Sequence, residues 1–314
     1  MYYPYPTCLV NEFLPSAVLP VVSVIIPCYN QAHFLGKALA SVQQQSYPAV
    51  EIVLVDDGST DATRAVALAH APALRYVYQD NQGLSAARNT GIRHSTGTYL
   101  VFLDADDWLY PQALALNVAY LQQNPHAAFV SGAFMCVFTG ENIISLVKRT
   151  IDADHYLHLL RGNYLGMPAV ALYQRWVFDD FLYDTELNIC SDYDLCLRVA
   201  RHHPVLHHTQ PVAAYRQHTT NMSGNVVPML NAVLQTLYQH KSQLRTPAEK
   251  RAYRDGIRQW KKYYATNVYN RLRARQLALS VPVVQTLLKH HPASLLKFFI
   301  ATIYRPTLAP SPHS

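Results

Sequence analysis

The stretch VVSVIIPCYN, Val21 to Asn30, decides the fold. Val21 to Pro27 is a short, β-branched apolar run, the pattern of a strand buried on both faces. Working outward, Phe34, Leu35, Ala38, Leu39 and Val42 fall at helical spacing, and that helix stops near Tyr47-Pro48. Glu51 to Val55 reads as a second buried strand, and Ser59 or Thr60 is placed to cap a helix over Asp61 to His70. Leu74 to Tyr78 and Leu84 to His94 read as a third strand and a third helix. Tyr99 to Leu103 is a fourth strand, Pro111 suits the first turn of a helix reaching Gln123, and Ala128 to Phe138 is strand-like again. Such alternation predicts an α/β fold, a mostly parallel Rossmann-like sheet with helices on both faces. Residues 1–20 carry four of the 19 prolines and no periodicity, and read as an irregular N-terminal arm. Residues 21–225 form the expected α/β domain. Beyond Val226 the pattern is helical, with breaks near Pro247, Pro282 and Pro292, so 226–314 is expected to be a C-terminal helical region.

The chain has 314 residues, half of them hydrophobic, which is enough to bury a sizeable core and excludes global disorder. No window of 18 apolar, uncharged residues exists, so a conventional membrane span is not expected. Met1 to Val10 lacks a basic start and an apolar core, so no secretory signal is expected either. The five cysteines (Cys8, Cys28, Cys136, Cys190 and Cys196) are an odd number without a C-x-x-C pair. They point to a reducing, cytoplasmic setting and away from a disulfide scaffold or structural zinc. Charge is unevenly spread. Lys241 to Arg305 holds 14 Lys and Arg against two acids, Glu249 and Asp255, whereas the rest of the chain is net acidic. A basic tail suits an anionic membrane surface, and Lys289 to Tyr304 mixes cations with Leu295, Leu296, Phe298, Phe299 and Ile300 as an interfacial helix does. Peripheral attachment at the inner face of the membrane follows as an expectation. No nucleic-acid reader motif is present, and no nucleic-acid partner is expected.

In open α/β sheets the ligand lies at the carboxyl ends of the strands. Polar residues follow all four predicted strands: Pro27-Cys28-Tyr29-Asn30, Asp56-Asp57-Gly58-Ser59, Asp80-Asn81-Gln82-Gly83 and Asp104-Ala105-Asp106-Asp107. One or two such ends would be turn chemistry; four, rich in carboxylates, point to a site. Clustered aspartates suit a hard divalent ion, Mg²⁺ or Mn²⁺, whose shell is completed by substrate phosphates. Neither G-x-x-x-x-G-K-[ST] nor G-x-G-x-x-G after the first strand occurs, which argues against a P-loop NTPase or a nicotinamide-dependent dehydrogenase.

VVSVIIPCYN, VDDGSTD (Val55 to Asp61), NQGLSAARNTGI (Asn81 to Ile92) and FLDADD (Phe102 to Asp107), in this order and spacing, resemble the family 2 glycosyltransferases, which have the GT-A fold. The resemblance spans about Val21 to Ser223. It implies transfer of a sugar from a nucleotide diphosphate sugar, UDP-linked as a prior, to a glycan or lipid-linked acceptor, with inversion and without a covalent enzyme intermediate. It further implies that Pro27, Tyr29 and Asn30 line the base and ribose pocket and that Asp57 bonds the base edge. Gly83 and Arg88 would lie near the base and diphosphate. Asp104 and Asp106 match the D-x-D motif, Asp104 towards the ribose and Asp106 as the metal ligand. The stretch SDYDLCLR, Ser191 to Arg198, resembles the family's E-D-x-D-L-x-L-R, which makes Asp192 the general base; Ser191 departs from the usual Glu. YRQHTTNMS, Tyr215 to Ser223, resembles the family's late Y-R-x-H loop, with His218 or Arg216 near metal or diphosphate.

Several residues have plainer readings. Asp107 suits a cap or support, Asp194 and Arg198 pair along a helix, and Trp108, Trp176, Cys190 and Cys196 suit packing. His202-His203 and His207-His208 are expected at the surface. Two other functions use similar parts. A nucleotidyltransferase needs a Gly-rich loop with Lys or Arg near the start, which is absent. A sugar-nucleotide or glycan-binding module without turnover is favoured only by Ser191.

Overall fold

A computed structural model describes residues 19–70, 74–138, 143–187, 189–219, 221–290, 292–293 and 295–296. The buried run at Val21 does form a strand, β1 (Val22–Cys28), every residue of which is buried. It is followed by α1 (Ala32–Gln43), β2 (Val50–Asp57), α2 (Thr63–Ala69), β3 (Arg75–Gln79), α3 (Leu84–His94) and β4 (Tyr99–Phe102). Then come β5 (Trp108–Leu109), α4 (Ala113–Gln123), β6 (Phe129–Phe138), β7 (Ile143–Val147), α5 (His155–Arg161), β8 (Ala171–Gln174), α6 (Val177–Asp180), α7 (Ser191–His202) and β9 (Leu206–Gln217). Three longer helices close the described chain: α8 (Val226–His240), α9 (Pro247–Arg273) and α10 (Val281–His290).

One sheet holds these strands in the order β3-β2-β1-β4-β8-β6-β9-β5, with β7 hydrogen-bonded to β6 off that path. The first four strands are parallel, as the βαβ alternation requires. The parallel character stops at β4: β8 runs antiparallel to β4 and to β6, and only β6–β9 is parallel beyond it. Leu103 to Asp107 is too short for a parallel crossover, so β5 cannot extend the array and pairs antiparallel with β9 at the far edge. Cys28 lies opposite Asp56, and Asp57 opposite Gln79, so the carboxyl ends of β1, β2 and β3 finish at one edge.

The glycine of the NQGLSAARNTGI stretch that matters for packing is Gly91. A Cβ there would collide with the Ile25 side chain, so only glycine lets α3 lie directly on β1. The C-terminal helices share the same core: Leu230, Val233, Leu234 and Leu237 of α8 and Ala252, Tyr264, Val268 and Leu272 of α9 are buried in it. α9 begins with a capping box, in which Thr246 Oγ1 accepts from the Glu249 N–H while Glu249 reaches back to the Thr246 N–H, and Pro247 takes the first helical position. It then passes so close to α5 that a Cβ on Gly256 would overlap the Leu160 carbonyl.

Local expectations differ in four places. α2 starts at Thr63, and neither Ser59 nor Thr60 caps it. Ser59 Oγ instead accepts the Asn30 N–H, while the Asp61 carboxylate accepts the Thr63 N–H and hydroxyl. α4 starts at Ala113, after Pro111, and its Leu114 N–H donates to the Gln45 side chain. His208 is not at the surface: it is 7% exposed, bonded to Asn117 and stacked on Tyr120. Burial, with the neighbouring His207 adding to it, drops its pKa to about 4. Asp107 caps no helix; it accepts the Arg216 N–H. The Asp194–Arg198 pair forms at 2.7 Å. The N-terminal arm up to residue 18 and the tail from residue 297, which holds Phe298, Phe299 and Ile300, lie outside the described residues. Among the described residues Cys28, Cys136, Cys190 and Cys196 are free thiols, and no helix is long and apolar enough to cross a membrane.

Candidate active site

The loops after β1, β2 and β3 are laced together by their own polar side chains. Asn30 takes a left-handed backbone (φ 54°), and its Oδ1 accepts the N–H groups of Thr60 and Asp61. Asp56 is the internal member of the acidic pair: it accepts the Ser59 N–H and the Tyr76 hydroxyl. Asp57 accepts the Gln79 amide at 2.6 Å and the backbone N–H groups of Gln82 and Gly83 at 2.9 Å. It thereby fixes the turn that leads into α3. Gly83, at φ 90°, adopts a conformation costly for any residue with a Cβ.

From α3, Arg88 is buried (2% exposed) and donates to Asp104 Oδ1 at 2.8 Å and to Ser191 Oγ at 3.4 Å. Its guanidinium lies over the Tyr183 ring, and its Nε has no partner. Burial opposes the charge, but Asp104, Tyr183 and Asp192 outweigh it and push the Arg88 pKa up. Ser191 and Asp192 open α7, placed there by Cys190 in a left-handed conformation. Burial pushes the Asp192 carboxyl up, Arg88 pulls it down, and the Asp104 charge adds to the rise; the net direction is upward. Such a shift brings a carboxylate closer to the range in which it works as a base at neutral pH.

After β4, Asp106 Oδ2 lies 3.0 Å from His218 Nε2, and the Asp106 carbonyl accepts the Arg216 Nε at 2.7 Å. Burial and the nearby Asp104 charge raise the Asp106 pKa, while His218 moderates it. Asp107 is 1% exposed; one oxygen accepts the Arg216 N–H, and the other is buried without a partner. Trp108 is not a plain packing residue, since the Lys37 ammonium sits 3.3 Å and the Arg216 guanidinium 5.2 Å from its ring.

A cleft of about 520 Å³ brings the expected residues together: Pro27, Tyr29, Asp57, Gly83, Arg88, Asp104, Asp106 and Asp192 all line it. Asn30 is not in that lining; its Oδ1 bonds the neighbouring loop. His218 stands behind Asp106 rather than on the lining. The same cleft is lined by Asn221, Met222 and Ser223, which end the stretch that resembles the late loop but carried no assigned role, and by Asn163, Met167 and Met229, which lay outside every motif. Asn163 and Met167 carried no pattern beyond a local Gly-Pro cluster.

Among the described residues no three His, Cys, Asp or Glu side chains form a group able to hold an ion alone. The donor set nonetheless fits a hard divalent ion that keeps water and phosphate oxygens in its shell. Asp106 would supply an oxygen and His218 a nitrogen at its side; burial, then the neighbouring aspartate charges, raises the Asp106 and Asp107 pKa values.

Residues 23–183 match the model of Glycosyl transferase family 2, which covers half of the chain. The chain belongs to that family. A glycosyltransferase of Rickettsia prowazekii, described as uncharacterized, is 30% identical over 194 residues, 58% of this chain and 59% of its own. A second Rickettsia glycosyltransferase, from Rickettsia bellii, is 30% identical over 199 residues, yet only 28% of its length is matched. The family 2 chain thus spans less than two thirds of these relatives. Among solved structures, Staphylococcus aureus TarS residues 1–349 in complex with UDP-GlcNAc aligns with a TM-score of 0.64 at 16% identity, covering 90% of this chain and 81% of that one. Pyrobaculum calidifontis mannosyltransferase PcManGT, in complex with GDP-Man and Mn²⁺, aligns at 0.58 and 20% identity, covering 93% and 91%. At such identities these likenesses establish the GT-A fold, including its C-terminal helical part, for this family 2 member.

Proposed function

We propose that this chain is an inverting glycosyltransferase that moves a sugar from a nucleotide diphosphate sugar, UDP-linked first, to an acceptor hydroxyl in polysaccharide or glycolipid synthesis. The observation that carries the reading is the convergence of Asp57, Asp104, Asp106 and Asp192 on one cleft, with the buried Arg88 between Asp104 and Ser191. TarS and PcManGT, which share the fold, are complexed with UDP-GlcNAc and with GDP-Man and Mn²⁺, which supports a nucleotide-sugar donor without choosing its base.

The donor lies along the carboxyl edge of β1 to β4. Pro27, Tyr29 and Asp57 border the base, Gly83 lets the backbone approach closely, and Arg88 holds Asp104 in place towards the ribose. Asp106 and His218 would hold Mg²⁺ or Mn²⁺, which supplies charge neutralisation for the departing diphosphate. Asp192, at the start of α7, takes the proton of the acceptor hydroxyl as its oxygen attacks the anomeric carbon. Direct displacement by that oxygen inverts the centre. Ser191, in place of the usual Glu, gives Arg88 a neutral hydrogen-bond partner, so the guanidinium charge stays directed at Asp104 and Asp192.

The basic C-terminal region supports a peripheral position at the inner face of a membrane. Val281 (69% exposed), Leu288 and Leu296 are exposed near Lys289. Pelleting with anionic liposomes at low salt is expected; protein left in the supernatant contradicts that placement. The activity itself is tested with a panel of UDP- and GDP-sugars plus Mn²⁺, read by thermal shift and by released nucleoside diphosphate. Nucleoside diphosphate release is expected. Pyrophosphate release from a sugar phosphate and a nucleoside triphosphate instead marks a nucleotidyltransferase, and donor binding without any turnover across many acceptors marks a binding module.

A further inference from the structure

Three of the chain's five methionines line the single cleft described above. Met167 is 2% exposed, Met229 is half-buried in the first turn of α8, and Met222, 52% exposed, stands in contact with solvent. Ile189 and Cys190, directly before Ser191 and Asp192, line the same cleft. Several polar atoms of the same lining are already engaged. Asn163 Oδ1 accepts the N–H groups of Leu165 and Gly166. Asn221 donates to the Arg216 carbonyl and accepts from the His218 N–H, and the Tyr215 and Ser223 hydroxyls bond each other at 2.6 Å. Asp57, Arg88, Asp104 and Asp106 offer charge to the cleft, whereas the three methionines offer thioether and hydrocarbon surface.

A purely polar acceptor laid on that surface would lose water from its hydroxyls without regaining partners. A hydrocarbon chain has the opposite preference, and unbranched, polarisable methionine side chains adapt to it. We propose that the acceptor hydroxyl belongs to an amphipathic, lipid-type molecule whose hydrocarbon chain lies against Met167, Met222 and Met229. The inference rests on the transferase reading above, which makes this cleft the place where an acceptor meets Asp192. It is further supported by the helix that carries Met229, because α8 and its neighbour α10 expose Tyr238, Val281 and Leu288, apolar surface that suits the same chemistry.

The full chain, labelled with ¹³C at its methionine methyls, is titrated with methyl, hexyl and octyl β-D-glucoside below their micelle concentrations, with and without UDP or GDP. The dissociation constant is expected to fall about tenfold or more from methyl to octyl. The Met167, Met222 and Met229 signals should move while Met135, on β6, stays still. Met222→Gln, at a solvent-exposed position, should reduce the octyl advantage about threefold. Affinity independent of chain length, or shifts at Met135 equal to those in the cleft, overturns the proposal. If UDP or GDP binds, read by calorimetry, while chain length has no effect, this inference fails and the transferase reading survives. If neither nucleotide binds, the transferase reading on which the inference rests falls with it.

Discussion

Asp106 Oδ2 and His218 Nε2 meet at 3.0 Å across 112 positions of sequence, tying the link between β4 and β5 to the loop after β9. Two segments that share no local pattern therefore build one corner of the cleft. If that corner holds the divalent ion, Asp106→Ala should weaken Mn²⁺-dependent nucleotide binding by about tenfold or more, and a chelator should do the same to the unchanged protein. Calorimetric titration with UDP and GDP in the presence of Mn²⁺ measures it. Equal affinity for variant and parent removes the metal role from Asp106.

Asp107 gives a prediction about stability. Burial, then the charges of Asp106 and Asp104, push its carboxyl well above the usual range. A group raised in this way binds more protons folded than unfolded, so its contribution is whole below the ordinary carboxylate pKa and is lost as pH rises through the raised one. Asp107→Asn removes that penalty while keeping an acceptor for the Arg216 N–H. The variant's melting temperature should exceed the parent's by about 2–4 °C at pH 8, and the gap should close towards about pH 4. A difference that ignores pH contradicts the argument.

Two helical glycines should respond with opposite signs. Gly256→Ala forces a Cβ into the Leu160 backbone, which cannot rotate away, and should cost about 1–3 kcal/mol. Gly36, within α1, has nothing within 4 Å of the new methyl, and Gly36→Ala should stabilise by about 0.5–1 kcal/mol. Urea denaturation of both variants decides. A neutral Gly256→Ala would mean that α9 does not press on α5 as described.

The legible parts were those written in local chemistry. The buried run at Val22–Cys28 and its three successors set the parallel half of the sheet, and the acidic residues after them fell at the expected edge because strand ends are where an α/β sheet leaves polar groups free. The antiparallel half was less legible, since β8 and β9 are placed by pairing between residues distant in sequence, such as Leu100 with Tyr173. Asn30 resembles a binding residue of the family, and its Oδ1 also ties the loop after β1 to Thr60 and Asp61, which no spacing reveals. His208 looked exposed because its partner, Asn117, lies on another element. The capping box at Thr246-Pro247-Ala248-Glu249 was open to reading from the sequence, where only the proline was used.

Asp192→Asn tests the central claim most directly. The substitution keeps size and hydrogen bonding at the start of α7 but removes the group that accepts the proton. With a donor identified from the nucleotide-sugar panel, sugar transfer should fall by about 10²–10⁴-fold while the donor dissociation constant stays within about twofold. Full transfer activity in the variant would contradict the account.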